Sequence, residues 1–198
     1  MKRDIRGVLA DLEHFGAEND AHETDRAKKM LNLEPDTAQL LSILLRSSGA
    51  RRVLEIGTSN GYSTIWLANA VAETGGQVIS VDQSAEKQAM ARENLERAGL
   101  MPHVSLVLGD ATEVVRDLAG PFDFVFFDAD RWSAPEQLRI LMPKLAAKVF
   151  ITADNVLSHP QEIEGYLKAV SKLAGFDHLV LPVGKGLSVA FRGAKSAS

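Results

Sequence analysis

Residues 53–63 read Val-Leu-Glu-Ile-Gly-Thr-Ser-Asn-Gly-Tyr-Ser, and this stretch predicts the fold of the chain. The apolar run before Gly57 is typical of a buried strand, and the pattern that follows Ser63 is typical of a helix. A strand, a tight turn and a helix N-terminus in this order present backbone N–H groups to a ligand at the edge of an α/β sheet. We therefore expect a binding site at this turn.

The acidic residue in this strand indicates the kind of ligand. Glu55 lies two residues before Gly57, at the end of the predicted strand. A carboxylate there repels a pyrophosphate but attracts an ammonium or a sulfonium group. The expected cofactor is therefore cationic, and S-adenosylmethionine fits this requirement.

The composition is that of an ordinary globular protein. The chain has 198 residues, 45% hydrophobic and 24% charged, with a formal net charge of −4, which suits one domain and argues against nucleic-acid or membrane binding. Because there is no cysteine, any metal must be held by oxygen or imidazole ligands. We see no targeting segment and no apolar run long enough to span a membrane, so a cytoplasmic location is expected.

Helical and strand patterns alternate along the rest of the chain. Predicted strands lie at 52–56, 77–82, 104–108, 122–127 and 148–153, with helices from Asp36 to near Gly49 and at 62–73, 84–98, 112–118, 135–146 and 160–174. Nearly all-apolar strands separated by helices indicate a parallel sheet covered on both faces. Two further strands, 178–183 and 187–192, flank Gly184-Lys185-Gly186 and predict an antiparallel hairpin. The expected fold class is α/β, with a mostly parallel seven-stranded sheet.

The domain boundaries follow from the same patterns. Residues 1–35 are expected to form a helical segment that acts as a lid or a dimer arm, residues 36–193 the main domain, and residues 194–198 a loose tail. Within the first segment, the apolar spacing from Ile5 to Leu12 predicts a short helix. The polar stretch 14–28 is expected to be mobile or to form a second weak helix.

Five stretches, taken together, resemble a known family. They are 54–58 with 61–63, Val81-Asp82, Gly109-Asp110-Ala111, the run 122–130, and Asp154-Asn155-Val156-Leu157. In order and spacing they resemble class I S-adenosylmethionine-dependent methyltransferases, and among these the catechol and caffeoyl-CoA O-methyltransferases. The resemblance covers roughly residues 30–192 and implies a Rossmann-like methyltransferase fold, with methyl transfer to a hydroxyl of a small, catechol-like acceptor.

The cofactor site can be proposed residue by residue. Asp82 lies about 20 residues after the glycine loop, where an acidic side chain accepts hydrogen bonds from ribose hydroxyls. The resemblance implies that Asp110 and Ala111 flank the adenine, and Ser63 is a candidate for binding the cofactor carboxylate. The full set of expected cofactor-binding residues is Glu55, Gly57, Thr58, Ser59, Gly61, Ser63, Asp82, Gln83, Asp110, Ala111, Asp128 and Asp130.

A metal site is expected at the ends of two later strands. Asp128, Asp154 and Asn155 offer only oxygen ligands, which suit Mg²⁺, with Mn²⁺ or Ca²⁺ as alternatives. The resemblance implies that these three positions hold a divalent metal that chelates the acceptor. The other interpretation is that Asp128 assists the cofactor while Asp154 and Asn155 form a capped turn.

The residues that are expected to face the methyl acceptor depart from the family pattern. The family has Asp-Ala-Asp-Lys, with the lysine as general base, whereas this chain has Arg131 after Asp128-Ala129-Asp130. Arginine stays protonated, so Arg131 is expected to act electrostatically. His159 and Asp130 are alternative bases, and a metal-bound acceptor needs none. The candidate catalytic residues are Asp128, Arg131 and His159.

Other functions remain open at this point. A metal-independent methyltransferase, a non-catalytic S-adenosylmethionine-binding protein, an NAD-dependent dehydrogenase and a methyltransferase acting on RNA or protein are alternatives. The loop 57–61 lacks the G-x-G-x-x-G spacing of dinucleotide-binding proteins, and the acidic balance disfavours RNA. The expected partners are a small-molecule hydroxyl acceptor and a second copy of the chain in a homodimer, with neither nucleic acid nor membrane.

Overall fold

A single mixed sheet organises the chain. The computed structural model describes residue 1 and residues 3–194. Within this part the strands are β1 (Arg52–Ile56), β2 (Gln77–Asp82), β3 (Val104–Leu108), β4 (Phe122–Phe127), β5 (Leu145–Ala153), β6 (Asp177–Leu181) and β7 (Leu187–Arg192). Their order across the sheet is β3-β2-β1-β4-β5-β7-β6. The five neighbouring strands β3, β2, β1, β4 and β5 are parallel to one another, and β7 is antiparallel to both β5 and β6. The predicted seven-stranded sheet with a terminal antiparallel hairpin is confirmed.

Helices cover both faces of the sheet. They are α1 (Arg3–His22), α2 (Pro35–Ser48), α3 (Tyr62–Ala72), α4 (Ala85–Arg97), α5 (Ala111–Asp117), α6 (Ala134–Leu141) and α7 (Pro160–Val170), in the described residues. One apolar cluster joins α1 to α4 to one face, and a second joins α5 to α7 to the other. Successive side chains of a strand point to opposite faces of the sheet, so neighbouring residues of β1 belong to different clusters. Val53 belongs to the first cluster and Leu54 to the second.

The N-terminal helix is longer than the sequence pattern predicts. Ile5 to Leu12 form the buried stripe of α1 as expected, but the helix continues to His22 through the stretch predicted to be mobile or a separate weak helix. The polarity of that stretch reflects exposure to solvent, since it lies beyond the apolar stripe. A short 3₁₀ turn at Arg26–Lys28 follows.

Two later helices are shorter than predicted. α6 ends at Leu141 and gives way to a 3₁₀ turn at Met142–Lys144, so that β5 begins at Leu145, whereas the prediction extended the helix to 146. Pro143 has no N–H and cannot continue an α-helical ladder. α7 ends at Val170 rather than at 174. Of the expected tail 194–198, only Ala194 lies within the described residues.

Two glycines shape the turn between β1 and α3. Gly57 and Gly61 have φ of 109° and 86°, which a side chain would disfavour. A Cβ at Gly57 would also collide with the carbonyl oxygen of Asp128, and one at Gly61 would lie 3.1 Å from Ala91 Cα. Both positions therefore require glycine, and Gly57 brings the loops after β1 and β4 together.

No helix in the described part of the chain combines the length and the apolar character needed to cross a bilayer.

Candidate active site

A large open cavity lies along the carboxyl edge of the sheet. Its volume is about 930 Å³, and its walls come from the loops that follow β1 to β5 together with residues 26–33. The carboxyl edge of an open α/β sheet is where such folds bind ligands. Most of the residues expected to bind a cofactor lie on its wall, namely Gly57, Thr58, Ser59, Ser63, Asp82, Gln83, Asp110, Ala111, Asp128 and Asp130.

Asp82 holds the loop after β1 in place. Its Oδ2 accepts hydrogen bonds from the backbone N–H groups of Thr58, at 3.1 Å, and Ser59, at 2.8 Å. Its Oδ1 accepts a bond of 2.9 Å from Ser84 N. Each carboxylate oxygen has about two acceptor positions, so Asp82 can still accept bonds from ligand hydroxyls in the cavity. Ser59 has φ of 46°, a left-handed conformation that this pair of bonds stabilises.

Two residues of the expected cofactor set do not line the cavity. Glu55 is fully buried under the start of α3, and its carboxylate accepts hydrogen bonds from the hydroxyls of Ser63, Thr64 and Ser80 at 2.5–2.6 Å. Burial raises the pKa of Glu55 to about 7, although these three hydrogen bonds act to lower it. Gly61 is likewise absent from the wall, because it packs against Ala91. Glu55 therefore does not contact the space in which a cationic ligand would lie. Its carboxylate is linked to the cavity through the hydroxyl of Ser63.

The loop after β3 carries the next predicted pair. Asp110 is exposed and caps α5, because its Oδ1 accepts a bond of 3.0 Å from Glu113 N. Its second oxygen has no bond within the described residues and stays available at the cavity wall. Ala111 is half-buried beside it and leaves room for a flat group.

Asp128, Asp154 and Asn155 come together as predicted. Asn155 Nδ2 donates to Asp154 Oδ2 at 2.7 Å and lies 3.4 Å from Asp128 Oδ1. Asn155 has φ of 64°, and residues held in such conformations concentrate at functional sites. Burial and the charge of Asp154 raise the pKa of Asp128 well above its usual value, and burial raises the pKa of Asp154 to about 6. A cation between these carboxylates would relieve both effects.

Asp130 has a different role from that expected of a base. It is exposed, and its carboxylate accepts bonds from Trp132 N, Ser133 N and the Ser133 hydroxyl. These bonds close a turn before α6, and this turn leaves the side chain of Trp132 69% exposed at the cavity wall.

Arg131 and His159 both lie on the cavity wall, on the loops after β4 and β5. The Arg131 side chain is only 11% exposed, and its Nε lies 3.0 Å from Glu162 Oε2. His159 is half-buried, and Ser158 Oγ lies 2.9 Å from its Nδ1. Burial and, to a smaller extent, the positive charge of Arg131 lower the pKa of His159, so the imidazole is neutral near pH 7. A neutral imidazole on the wall can accept a proton.

The N-terminal segment, predicted as a lid or a dimer arm, contributes residues to the cavity wall that sequence reasoning did not name. Met30 and Leu31 donate their backbone N–H groups to Asp20 at 2.7 and 2.8 Å, and Ser59 Oγ donates to Met30 O at 2.8 Å. These bonds fasten residues 26–33 over the loop after β1, where they form one wall of the cavity. Lys87, Gln137, Glu162 and Lys185 also line the cavity and were not predicted. No local pattern marks them, because they come from elements distant in sequence.

Comparison with solved structures places this fold among the methyltransferases. An O-methyltransferase from Bacillus cereus in complex with SAH superposes with a TM-score of 0.80 over 94% of this chain and 91% of that chain, at 27% identity. A family model described as O-methyltransferase matches residues 8–177. The chain therefore belongs to the O-methyltransferase family.

Curated relatives carry a more specific name. The chain is 37% identical over 142 residues to a catechol O-methyltransferase of Mycobacterium tuberculosis, covering 71% of this chain and 62% of that protein. It is 34% identical over 131 residues to a catechol O-methyltransferase of Niastella koreensis, covering 64% and 59%. The matched part is thus about three fifths of the length of each relative.

Proposed function

We propose that this chain transfers a methyl group from S-adenosylmethionine to a hydroxyl of a small, aromatic, catechol-like acceptor. The observation that carries the proposal is the cavity of about 930 Å³, whose wall includes both Asp82 and the Asp128–Asp154–Asn155 group. Family membership and the SAH complex of the Bacillus cereus relative support the choice of cofactor. The names of the two catechol O-methyltransferases support the choice of acceptor.

The cofactor would lie against the loops after β1, β2 and β3. Asp82 would accept hydrogen bonds from the ribose hydroxyls, while Asp110 and Ala111 would flank the adenine. The hydroxyl of Ser63 is engaged with Glu55, so it can accept a bond from the cofactor's ammonium group more readily than donate to its carboxylate. The methyl-bearing end would then face Asp128, Arg131 and His159 across the cavity.

The residues at the acceptor end fit a divalent cation. In the described residues no three His, Cys, Asp or Glu side chains form a metal-binding group, so the set consists of two carboxylates and the Asn155 carboxamide. All three side chains carry oxygen atoms, but Asn155 turns its Nδ2 toward both carboxylates and would have to rotate its amide to present Oδ1 to an ion. The two carboxylates have raised pKa values in a partly buried place. Mg²⁺ is therefore the proposed ion, and when bound it would lower the pKa of the acceptor hydroxyl.

The transfer itself requires alignment and removal of one proton. The acceptor oxygen forms a bond to the methyl carbon as the carbon–sulfur bond breaks, the hydroxyl proton leaves, and SAH is the product. His159 is the proposed acceptor of that proton, because it is neutral and lies on the cavity wall. Arg131 would stabilise negative charge on the acceptor oxygen. The exposed face of Trp132 offers a surface for an aromatic ring.

Turnover of labelled S-adenosylmethionine with catechol, caffeoyl and flavonoid acceptors tests this proposal. We expect methylated catechols, with a higher rate in Mg²⁺ than in EDTA. Equal rates in the two conditions would favour the metal-independent alternative. Tight SAH binding without turnover of any acceptor would favour a non-catalytic binding protein, and tight NADH binding without SAH binding would favour the dehydrogenase.

Self-association stays a prediction. Ile43 on α2 and Leu179 and Val180 on the edge strand β6 are exposed apolar side chains that a second copy could cover. Sedimentation velocity on the full chain distinguishes a homodimer from a monomer.

A further inference from the structure

A second, much smaller space lies beneath the acceptor end of the cavity. It measures about 10 Å³ and is enclosed by the loops after β4 and β5 together with α6. Its wall is mixed: the apolar members are Ile56, Phe127, Ala129, Ala134 and Ile163, and the polar or charged members are Asp128, Asp130, Arg131, Gln137 and Asp154. A space of this size corresponds to about one water molecule.

Three buried polar atoms without partners belong to residues on this wall. They are Arg131 Nε, Gln137 Oε1 and Asp154 Oδ1, each inaccessible to solvent and without a hydrogen bond within the described residues. Gln137 and Asp154 are each 3% exposed, and the Arg131 side chain is 11% exposed. An unpaired buried polar atom costs about 1–3 kcal/mol, so the unpaired oxygens of Gln137 and Asp154, beside an Arg131 N–H that makes no hydrogen bond to its ion-pair partner Glu162, indicate a further partner.

The hydrogen bonds that these side chains already make show which of their atoms can still donate or accept one. Gln137 Nε2 donates to Thr112 Oγ1 at 3.2 Å, which leaves Gln137 Oε1 as an acceptor. Asp154 Oδ2 accepts from Asn155 Nδ2 at 2.7 Å, which leaves Oδ1 as an acceptor. Arg131 Nε lies 3.0 Å from Glu162 Oε2, but its N–H makes no hydrogen bond to it and remains a donor. The void therefore offers two acceptors and one donor.

This combination selects one kind of occupant. A water molecule can donate to Gln137 Oε1 and Asp154 Oδ1 and accept from the Arg131 N–H, which pairs all three atoms. A metal ion cannot accept the Arg131 N–H, and the carboxylates of Asp128 and Asp154, both on this wall, disfavour an anion. We propose that one ordered water molecule occupies this void and joins Arg131 to Asp154 and Gln137.

The water gives Arg131 a second role. Arg131 is held by Glu162 on one side, and through the water it would fix the orientation of the Asp154 carboxylate on the other. Arg131 is in this respect a positioning residue for the Asp128–Asp154–Asn155 group. Lysine at this position has no Nε–H and could not complete the same arrangement.

A crystal structure of the full chain with SAH, at a resolution that shows ordered water, tests the site directly. We expect one density peak within about 2.7–3.1 Å of all three atoms. An empty void, or a peak whose contacts and anomalous signal identify a metal ion, would overturn the proposal. This test is independent of catalysis. Failure of SAH to bind at all would count against the proposed function and not against the water.

Two variants extend the test to positioning. Gln137→Met keeps the volume of the side chain but removes the acceptor, and Arg131→Lys keeps the charge but removes the donor. In each we expect the peak to disappear, and for Gln137→Met we expect kcat to fall about tenfold while the Kd for SAH changes less than about threefold. This kinetic readout rests on the proposed methyl transfer. Gln39→Met, exposed on α2, is the matched control and should leave both values unchanged.

The outcomes are distinct. A peak that persists in both variants, or a fall in kcat matched by an equal loss of SAH affinity, would contradict the positioning role. If Gln137→Met does not fold, Arg131→Lys and the wild-type density still decide whether the water is there.

Discussion

The hydroxyl of Ser63, at the start of α3, donates a hydrogen bond of 2.6 Å to Glu55 Oε1 in the middle of β1. Thr64 and Ser80 donate to the other carboxylate oxygen, so three hydroxyls surround a side chain that is fully buried. This arrangement couples the first turn of α3 to the strand beneath it. It also places a titratable group in the interior, with consequences for stability.

The stability of the protein should depend on the protonation of Glu55. Burial raises the folded-state pKa of this group from 4.5 to about 7, so its contribution to stability is fully present below about pH 4.5 and is lost as the pH rises through 7. Between about pH 5 and pH 8 we expect the wild type to lose about 2–3 kcal/mol more unfolding free energy than Glu55→Gln. Urea denaturation of both proteins at the two pH values measures the difference, and parallel profiles would contradict the assignment.

Asp82→Ala should weaken binding of the cofactor. The variant loses the acceptor proposed for the ribose hydroxyls and also the bonds that hold Thr58 and Ser59. We expect a loss of about 1–3 kcal/mol in the binding free energy of SAH, measured by isothermal titration calorimetry. Asp117→Ala, exposed at the end of α5, is the control. An unchanged Kd in Asp82→Ala would remove Asp82 from the cofactor site.

Metal dependence should follow the Asp128–Asp154–Asn155 group. With catechol as acceptor, EDTA should lower kcat by about tenfold or more, and added Mg²⁺ should restore it, because the ion would stabilise the developing phenolate. Asp154→Asn should reduce this response to Mg²⁺, since one carboxylate of the proposed set is lost. A wild-type rate indifferent to EDTA would exclude the ion from the reaction.

Replacement of His159 should lower the rate of methyl transfer without weakening the binding of the cofactor. His159→Asn keeps a polar side chain but cannot take up the proton, so kcat should fall about 100-fold with little change in SAH affinity. Ser158→Ala, which removes the partner of Nδ1, should have a smaller effect. His14→Asn, exposed on α1, serves as control. If His159→Asn retains the wild-type rate, ionisation of the acceptor does not depend on this residue.

Much of the architecture was predictable from local patterns. The strands at 52–56, 77–82, 104–108 and 122–127 have the predicted bounds, because a strand buried on both faces is a short apolar run between turn residues. Helix ends were less predictable: Pro143 shortens α6, and the polar end of α1 carries no apolar stripe. The meeting of Asp128 with Asp154 and Asn155 was also predictable, because parallel strands end at one edge of the sheet.

The sequence by itself determined the order of the strands and helices, the glycine turn after β1 and the acidic residues at the strand ends, because each depends on residues that are neighbours in the chain. Only the tertiary structure decided that Glu55 lies beneath the cavity rather than in it, since the packing of α3 on β1 determines its burial. It alone also placed residues 26–33 over the loop after β1, and Arg131, Gln137 and Asp154 on the wall of one small space. Such contacts join elements far apart in sequence, and no local periodicity records them.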